Sequence, residues 1–153
     1  MQIPKTRAVI SWMPLCTVAI ALLFSAGCKS YNRQWKEAAA WAAPKDTFEG
    51  RWEGSWISDH NGHSGRLRCI VSRKGDGNYE ANFQAKYRKV LTFHYPVTLR
   101  TTRDGTNVVF VGEADLGWWA GGVYHYAGRA DTTSFFSTYS NRFDYGIFSL
   151  LKQ

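Results

Sequence analysis

"NYEANFQAKYRKVLTFHYPVTL", residues 78–99, alternates between apolar and polar side chains almost without a break. Tyr79, Ala81, Phe83, Ala85 and Tyr87 fall on one face, and Glu80, Asn82, Gln84, Lys86 and Arg88 on the other. Leu91, Phe93, Tyr95, Val97 and Leu99 repeat the pattern. A side-chain period of two marks strands buried on one side and wet on the other. The link Arg88-Lys89-Val90 lacks Gly and Pro. A three-residue turn there keeps odd-numbered residues inward. The alternative is one long strand bent at a barrel corner.

The same period runs outward in both directions. Phe48, Gly50, Trp52, Gly54 and Trp56 oppose Glu49, Arg51, Glu53 and Ser55, and Leu67, Cys69 and Val71 oppose Arg66, Arg68 and Ser72. Downstream come Val108, Phe110, Gly112 and Ala114, then strands predicted over Val123–Ala130, Ser134–Asn141 and Tyr145–Lys152. Turn lengths test this assignment, because a two-residue loop moves the inward face from odd to even numbers and an odd-length loop does not. Asp104-Gly105, a strong hairpin signal, predicts the change from Leu99 to Val108. The five residues Lys74 to Asn78 predict none between Val71 and Tyr79. No helical period lies between the strands, so no βαβ unit and no parallel sheet is expected. The prediction is an all-β domain: an eight-stranded antiparallel up-and-down barrel, which leaves no free edge. A β-sandwich is the competing architecture.

"GRWEGSW", residues 50–56, places Gly50-Arg51-Trp52 at the start of the first strand. This resembles the glycine–any–tryptophan opening of the calycin superfamily, which comprises lipocalins, fatty-acid-binding proteins and avidins. The resemblance implies a barrel whose floor is closed by the Trp. It implies no ligand, because no biotin- or retinoid-binding residue set maps onto this chain. The inward residues include Trp52, Trp56, Tyr79, Phe83, Tyr87, Phe93, Tyr95 and Phe110. So many rings predict a largely filled interior. Gly50, Gly54, Ala81, Ala85, Gly112 and Ala114 either make room for them or leave a narrow pocket.

The N-terminus carries an address. Lys5 and Arg7 precede an apolar run, Ala8 to Phe24, which ends in Ser25-Ala26-Gly27-Cys28. A charged start, an apolar stretch and small residues before a cleavage point form a secretory signal. The last four residues resemble a bacterial lipoprotein lipobox, with Ser25 where Leu or Val is usual. That resemblance implies a leader over 1–27, cleavage before Cys28 and lipidation of its thiol. Lys29 rather than Asp follows, which in enterobacterial sorting goes with the outer membrane. An ordinary cleaved signal and an uncleaved anchor are the other readings. Cys16 would leave with the leader and Cys28 would be acylated, so Cys69 alone remains and no internal disulfide is expected. The net charge of +7 falls to +5 without Lys5 and Arg7. The basic residues are scattered over several strands, which argues against nucleic acid and for a solvated surface or attraction to an anionic envelope. Residues 28–47 read as a tether with a short helix from Arg33 to Ala43 before Pro44. Trp35 and Trp41 are expected to pack on the domain, which spans 48–153; the alternative is a place at a membrane interface, where Trp is favoured.

The chemistry-bearing stretches are few. "DHNGH", residues 59–63, offers Asp59, His60 and His63, but Asn61-Gly62 explains it as a turn, and no metal is expected. "DLGWWAGG", residues 115–122, sets Trp118 and Trp119 among glycines that make the loop flexible. With Tyr124 they are the candidate contacts for a ligand or partner; the alternative is that one Trp plugs a barrel end. Asp115, Asp131 and Asp144 lie near strand ends, where paired carboxylates could hydrolyse glycosides or simply cap turns. Cys69 alternates with Leu67 and Val71 and is expected to be buried and inert.

The reading is a non-enzymatic lipoprotein of the bacterial cell envelope, anchored through Cys28 on the outer membrane and facing the periplasm. It would bind a small apolar or aromatic ligand, or an envelope partner, and use no cofactor. A structural protein with a filled barrel, and a hydrolase using loop carboxylates, are the alternatives.

Overall fold

The computed structural model describes residues 30–41, 48–75, 77–88 and 90–153. The leader, Cys28 and Pro44 lie outside the described residues. From Tyr31 onward the chain forms one compact unit: a helix, α1 (Tyr31–Ala39), and eight strands. These are β1 (Gly50–Ser58), β2 (Ser64–Gly75), β3 (Asn78–Tyr87), β4 (Leu91–Asp104), β5 (Asn107–Asp115), β6 (Val123–Ala130), β7 (Ser134–Ser140) and β8 (Tyr145–Lys152). Each strand pairs antiparallel with its neighbour in sequence, and β8 returns to β1, closing an up-and-down barrel. No second sheet packs on the first, which rules out the sandwich.

The face assignment holds strand by strand. Trp52, Leu67, Cys69, Val71, Tyr79, Ala81, Phe83, Val97, Leu99, Val108 and Phe110 are all buried. The turns differ in detail. Asp104 pairs with Asn107, so the two-residue loop is Gly105-Thr106, one residue later than expected; Gly105, at φ +62°, supplies the left-handed backbone there. β2 and β3 approach more closely than a five-residue loop allows: Gly75 pairs with Asn78, and a register shift between Arg73 and Gly75 takes up the odd residue. The inward face therefore still passes from Val71 to Tyr79. Tyr87 pairs with Leu91, so three residues separate the paired strand ends, with Arg88 at φ +47°, and the bent single strand is excluded. β7 ends at Ser140, one residue short of the predicted strand.

Glycine matters where strands close the barrel. Gly54 pairs with Leu150, and a Cβ there would run into the Ser149 carbonyl. Gly146 repeats this on the same β1–β8 seam, where a Cβ would run into the Ile57 carbonyl.

The helix is shorter and earlier than predicted, Tyr31–Ala39 instead of Arg33–Ala43. It lies on the outer wall. The Tyr31 hydroxyl donates to the Asn82 carbonyl at 3.3 Å, and Trp35 is buried with the guanidinium groups of Arg51 and Arg68 5.1 and 4.8 Å from its ring. Trp35 thus packs as expected, whereas Trp41 stays exposed. Beneath α1, the outward-facing Ile70 and Gln84 are buried. The strand period assigns both to the wet face; the helix covers it. Cys69 is fully buried, and desolvation pushes its thiol well above the usual range.

Candidate functional site

Hairpin loops in an up-and-down barrel alternate between its two ends. Loops 59–63, 88–90, 116–122 and 141–144 share one end; 76–77, 105–106 and 131–133 share the other, with the start of β1 and the end of β8. The second end is filled. Phe48 sits in it with ring centroids 5.2 Å from Tyr79, 5.7 Å from Phe110, 5.9 Å from Phe135 and 6.2 Å from Trp52. The Trp52 indole donates to the Phe48 carbonyl at 3.1 Å, so ring and floor are tied together.

The first end is open. A cavity of about 840 Å³ enters there and reaches down to Tyr126 and Phe148. The expectation of a largely filled interior is corrected for this half. The reason lies in where the rings stack. Near the mouth, Trp56 lies against Tyr87 at 6.0 Å with its indole donating to the Lys86 carbonyl at 2.9 Å, so both rings hug the wall. Tyr139 leans on Phe148 at 5.0 Å and Tyr124 on Tyr139 at 6.1 Å, lining the opposite side. A large lateral opening adds to the space. The β4–β5 ladder runs only from Thr98↔Glu113 to Asp104↔Asn107, so Leu91–Val97 pair with β3 alone. Pro96, which lacks an N–H, falls on this free edge.

Loop 116–122 stands beside that opening. Its glycines, expected to make it flexible, form a turn with its own hydrogen bonds. Gly117, Gly121 and Gly122 all have left-handed φ values and close a hydrogen-bonded turn: Gly122 N–H donates to Gly117 O at 2.9 Å and Leu116 N–H to Gly122 O at 3.1 Å. Asp115 accepts from Gly117 N–H at 2.8 Å, and the Asn141 amide donates to Gly121 O at 3.0 Å. The pinned loop projects both tryptophans. Trp118 is 92 % exposed; Trp119 is 64 % exposed, lines the cavity and lies 5.9 Å from Phe93. Neither plugs the barrel. Tyr124 lines the cavity below them. Replacing Trp118 and Trp119 together with Ser should therefore cost less than about 1.5 kcal/mol, the scale of one aromatic contact plus exposed-surface changes. A thermal melt showing the several-kcal/mol loss typical of core truncation would contradict this placement.

The polar groups of the mouth form two sets. His63 Nδ1 and the Tyr87 hydroxyl share a hydrogen bond of 3.0 Å. Asp144 accepts from Ser58 Oγ at 2.6 Å and from the Tyr139 hydroxyl at 3.4 Å. Deeper, the Tyr95 and Tyr126 rings stack with centroids 6.5 Å apart, and burial pushes both hydroxyls above their usual range. Desolvation also raises Tyr124 and Tyr139, and the nearby Asp144 carboxylate adds to it.

The three aspartates singled out in the sequence separate. Asp115 and Asp144 line the same cavity. Asp131 is at the filled end, where it accepts from the backbone N–H groups of Thr133 and Ser134 at 2.7 Å and caps the β6–β7 turn. Those bonds hold its carboxyl well below the usual range. His60 and His63 also part company: His60 lies 5.9 Å from Tyr145 and His63 turns to Tyr87. Among the described residues no three potential metal ligands converge. Tyr126, Tyr139, Phe148 and the Ser58–Asp144 pair were not singled out in the sequence. Extending the face assignment through β6, β7 and β8 would have found the three rings; the Ser58–Asp144 bond spans 86 positions and has no local signal.

Comparison of this chain with protein families, with curated proteins and with solved structures returns no match.

Proposed function

We propose that this protein is a non-enzymatic, lipid-anchored lipoprotein of the bacterial envelope, held on the outer membrane and facing the periplasm, whose barrel binds a small, largely apolar ligand. The observation that carries the binding part is the ring-lined cavity of about 840 Å³, lateral opening included, at one end of the barrel. Its volume lies within the range of about 300–1,000 Å³ typical of small-molecule sites. Two mouth tyrosines and two exposed tryptophans resemble the mix of apolar body and polar tip that recognition surfaces favour. The calycin resemblance at Gly50-Arg51-Trp52 supports the same reading, and the lipobox resemblance at Ser25–Cys28 supports the anchor.

A neutral, environment-sensitive dye, N-phenyl-1-naphthylamine, tests the cavity directly. It should brighten on titration into the protein and be displaced by apolar competitors. Ala85 lines the cavity wall; Ala85→Trp should abolish the signal while leaving the far-ultraviolet circular dichroism unchanged. A dye that brightens equally with this variant is not bound in the cavity.

The anchor has its own test. Cys28→Ala should end incorporation of labelled fatty acid and leave the precursor uncleaved, because the thiol is the acceptor. Continued labelling of the mutant, or none in the wild type, overturns the anchor.

A further inference from the structure

We propose that the cavity selects a ligand with an apolar body and a cationic head, an amine or ammonium amphiphile; this rests on the ligand-binding reading above and names its chemistry. The chain has 19 Lys and Arg against 12 Asp and Glu. The described residues that line the cavity reverse that balance: they include Asp115 and Asp144, no Lys or Arg, and two histidines, His63, whose Nδ1 is hydrogen-bonded to the Tyr87 hydroxyl, and His94. An anionic head, such as a fatty-acid carboxylate, would enter without a Lys or Arg partner and would face two carboxylates. Burying it unpaired is costly.

The walls point the same way. Ring faces carry negative potential and attract cations, more so where water is excluded. Trp56, Tyr87, Tyr124 and Tyr139 surround the upper cavity, Phe148 lies deeper, and Trp119 borders the lateral opening. The chain already uses this interaction elsewhere: two guanidinium groups bracket Trp35, and the Lys152 ammonium lies 4.8 Å from the Trp52 ring. At the mouth, Asp144 is held by Ser58 and Tyr139, so its carboxylate is oriented before any ligand arrives. Two described guanidinium groups stand in the loops of this end, Arg88 at 5.4 Å from the Tyr87 ring centroid and Arg142 at 5.0 Å from that of Phe143. Both lie over rings and neither lines the cavity. An ammonium head between the upper rings and Asp144, with its chain reaching down towards Tyr126 and Phe148, matches the charge and the rings of the lining.

The test compares three probes with the same twelve-carbon chain, each below its micelle concentration: dodecyltrimethylammonium, dodecan-1-ol and dodecanoate. Binding to the full chain is read by displacement of N-phenyl-1-naphthylamine and by tryptophan fluorescence. The ammonium should bind at least about tenfold more tightly than the alcohol, in keeping with one desolvated cation–π or ion-pair contribution, and the carboxylate more weakly than either. Asp144→Asn should bring the ammonium close to the alcohol while leaving the alcohol unchanged. If that variant melts early, Asp115→Asn, whose side chain is exposed, should give a smaller change in the same direction. Ala85→Trp must lose all three probes, which separates cavity binding from surfactant adsorption. Equal affinity for the three, or preference for the carboxylate, overturns the cationic head and leaves the binding reading standing. Failure of all three probes and of the dye overturns both.

Discussion

Phe110→Asp should abolish cooperative folding, and Val111→Asp, one residue along the same strand, should be tolerated. Phe110 is 2 % exposed, with ring centroids 5.7 Å from Phe48 and 4.9 Å from Phe135. Truncating such a ring to Ala costs about 3–5 kcal/mol. A carboxylate at the same place adds the penalty of an unpaired buried charge, of several kcal/mol more. Together these match or exceed the whole stability of a typical small domain, about 5–15 kcal/mol. Val111 points outward and is 46 % exposed, so its replacement costs only a strand-propensity difference of up to about 1 kcal/mol. Chemical denaturation with circular dichroism reads both. Similar losses in the two variants would mean that the faces of β5 are wrongly assigned. Gln84 would make a poor outward control despite its even number, because α1 buries it.

High pH should unfold the barrel, with the buried tyrosines ionising in the same transition. Burial raises the hydroxyls of Tyr31, Tyr95, Tyr126 and Tyr139 above the ordinary value of 10.0. A group whose folded-state pKa is raised stays neutral in the fold while the unfolded chain ionises. Its contribution is intact below about pH 10 and is lost as pH climbs towards the folded value. Two units above the unfolded pKa, each such group favours unfolding by about 2.7 kcal/mol. Tyr126, only 4 % exposed, brings about that much, a sizeable share of the total. Tyrosinate absorbance and circular dichroism should therefore change together above pH 10, and Tyr126→Phe should flatten the alkaline loss of stability. Tyrosines that all titrate near pH 10 in an intact barrel would contradict their burial.

The strands were legible because their signal is local. Alternation along a strand depends only on the pleat, and turn length passes the inward face from one strand to the next. That is why residues 78–99 are enough to set the frame, and why errors of a residue at Gly105 or in a register shift near Gly75 left the faces intact. The buried state of Cys69 follows from the same alternation. The Trp118-Trp119 loop was legible as unusual, though not its conformation: its glycines serve left-handed turns pinned by Asp115 and Asn141, contacts that depend on where β5 and the β7–β8 loop end.

What the sequence by itself determined, then, is which side chains face inward and that eight such strands follow one another. Only the tertiary structure decided how that inward set divides between a packed floor and an open cavity. Inward rings are counted along the chain, but volume depends on how they are spread along the barrel axis. Phe48, Trp52, Phe110 and Phe135 meet at one height and fill it, while Trp56 and Tyr87 stack flat against the wall and leave space. The same holds outside the barrel, where Ile70 and Gln84 are buried by α1 although their period marks them as wet. It holds too for charge: Asp115 and Asp144 share the cavity and Asp131 lies at the far end, because an up-and-down chain sends successive hairpins to opposite ends.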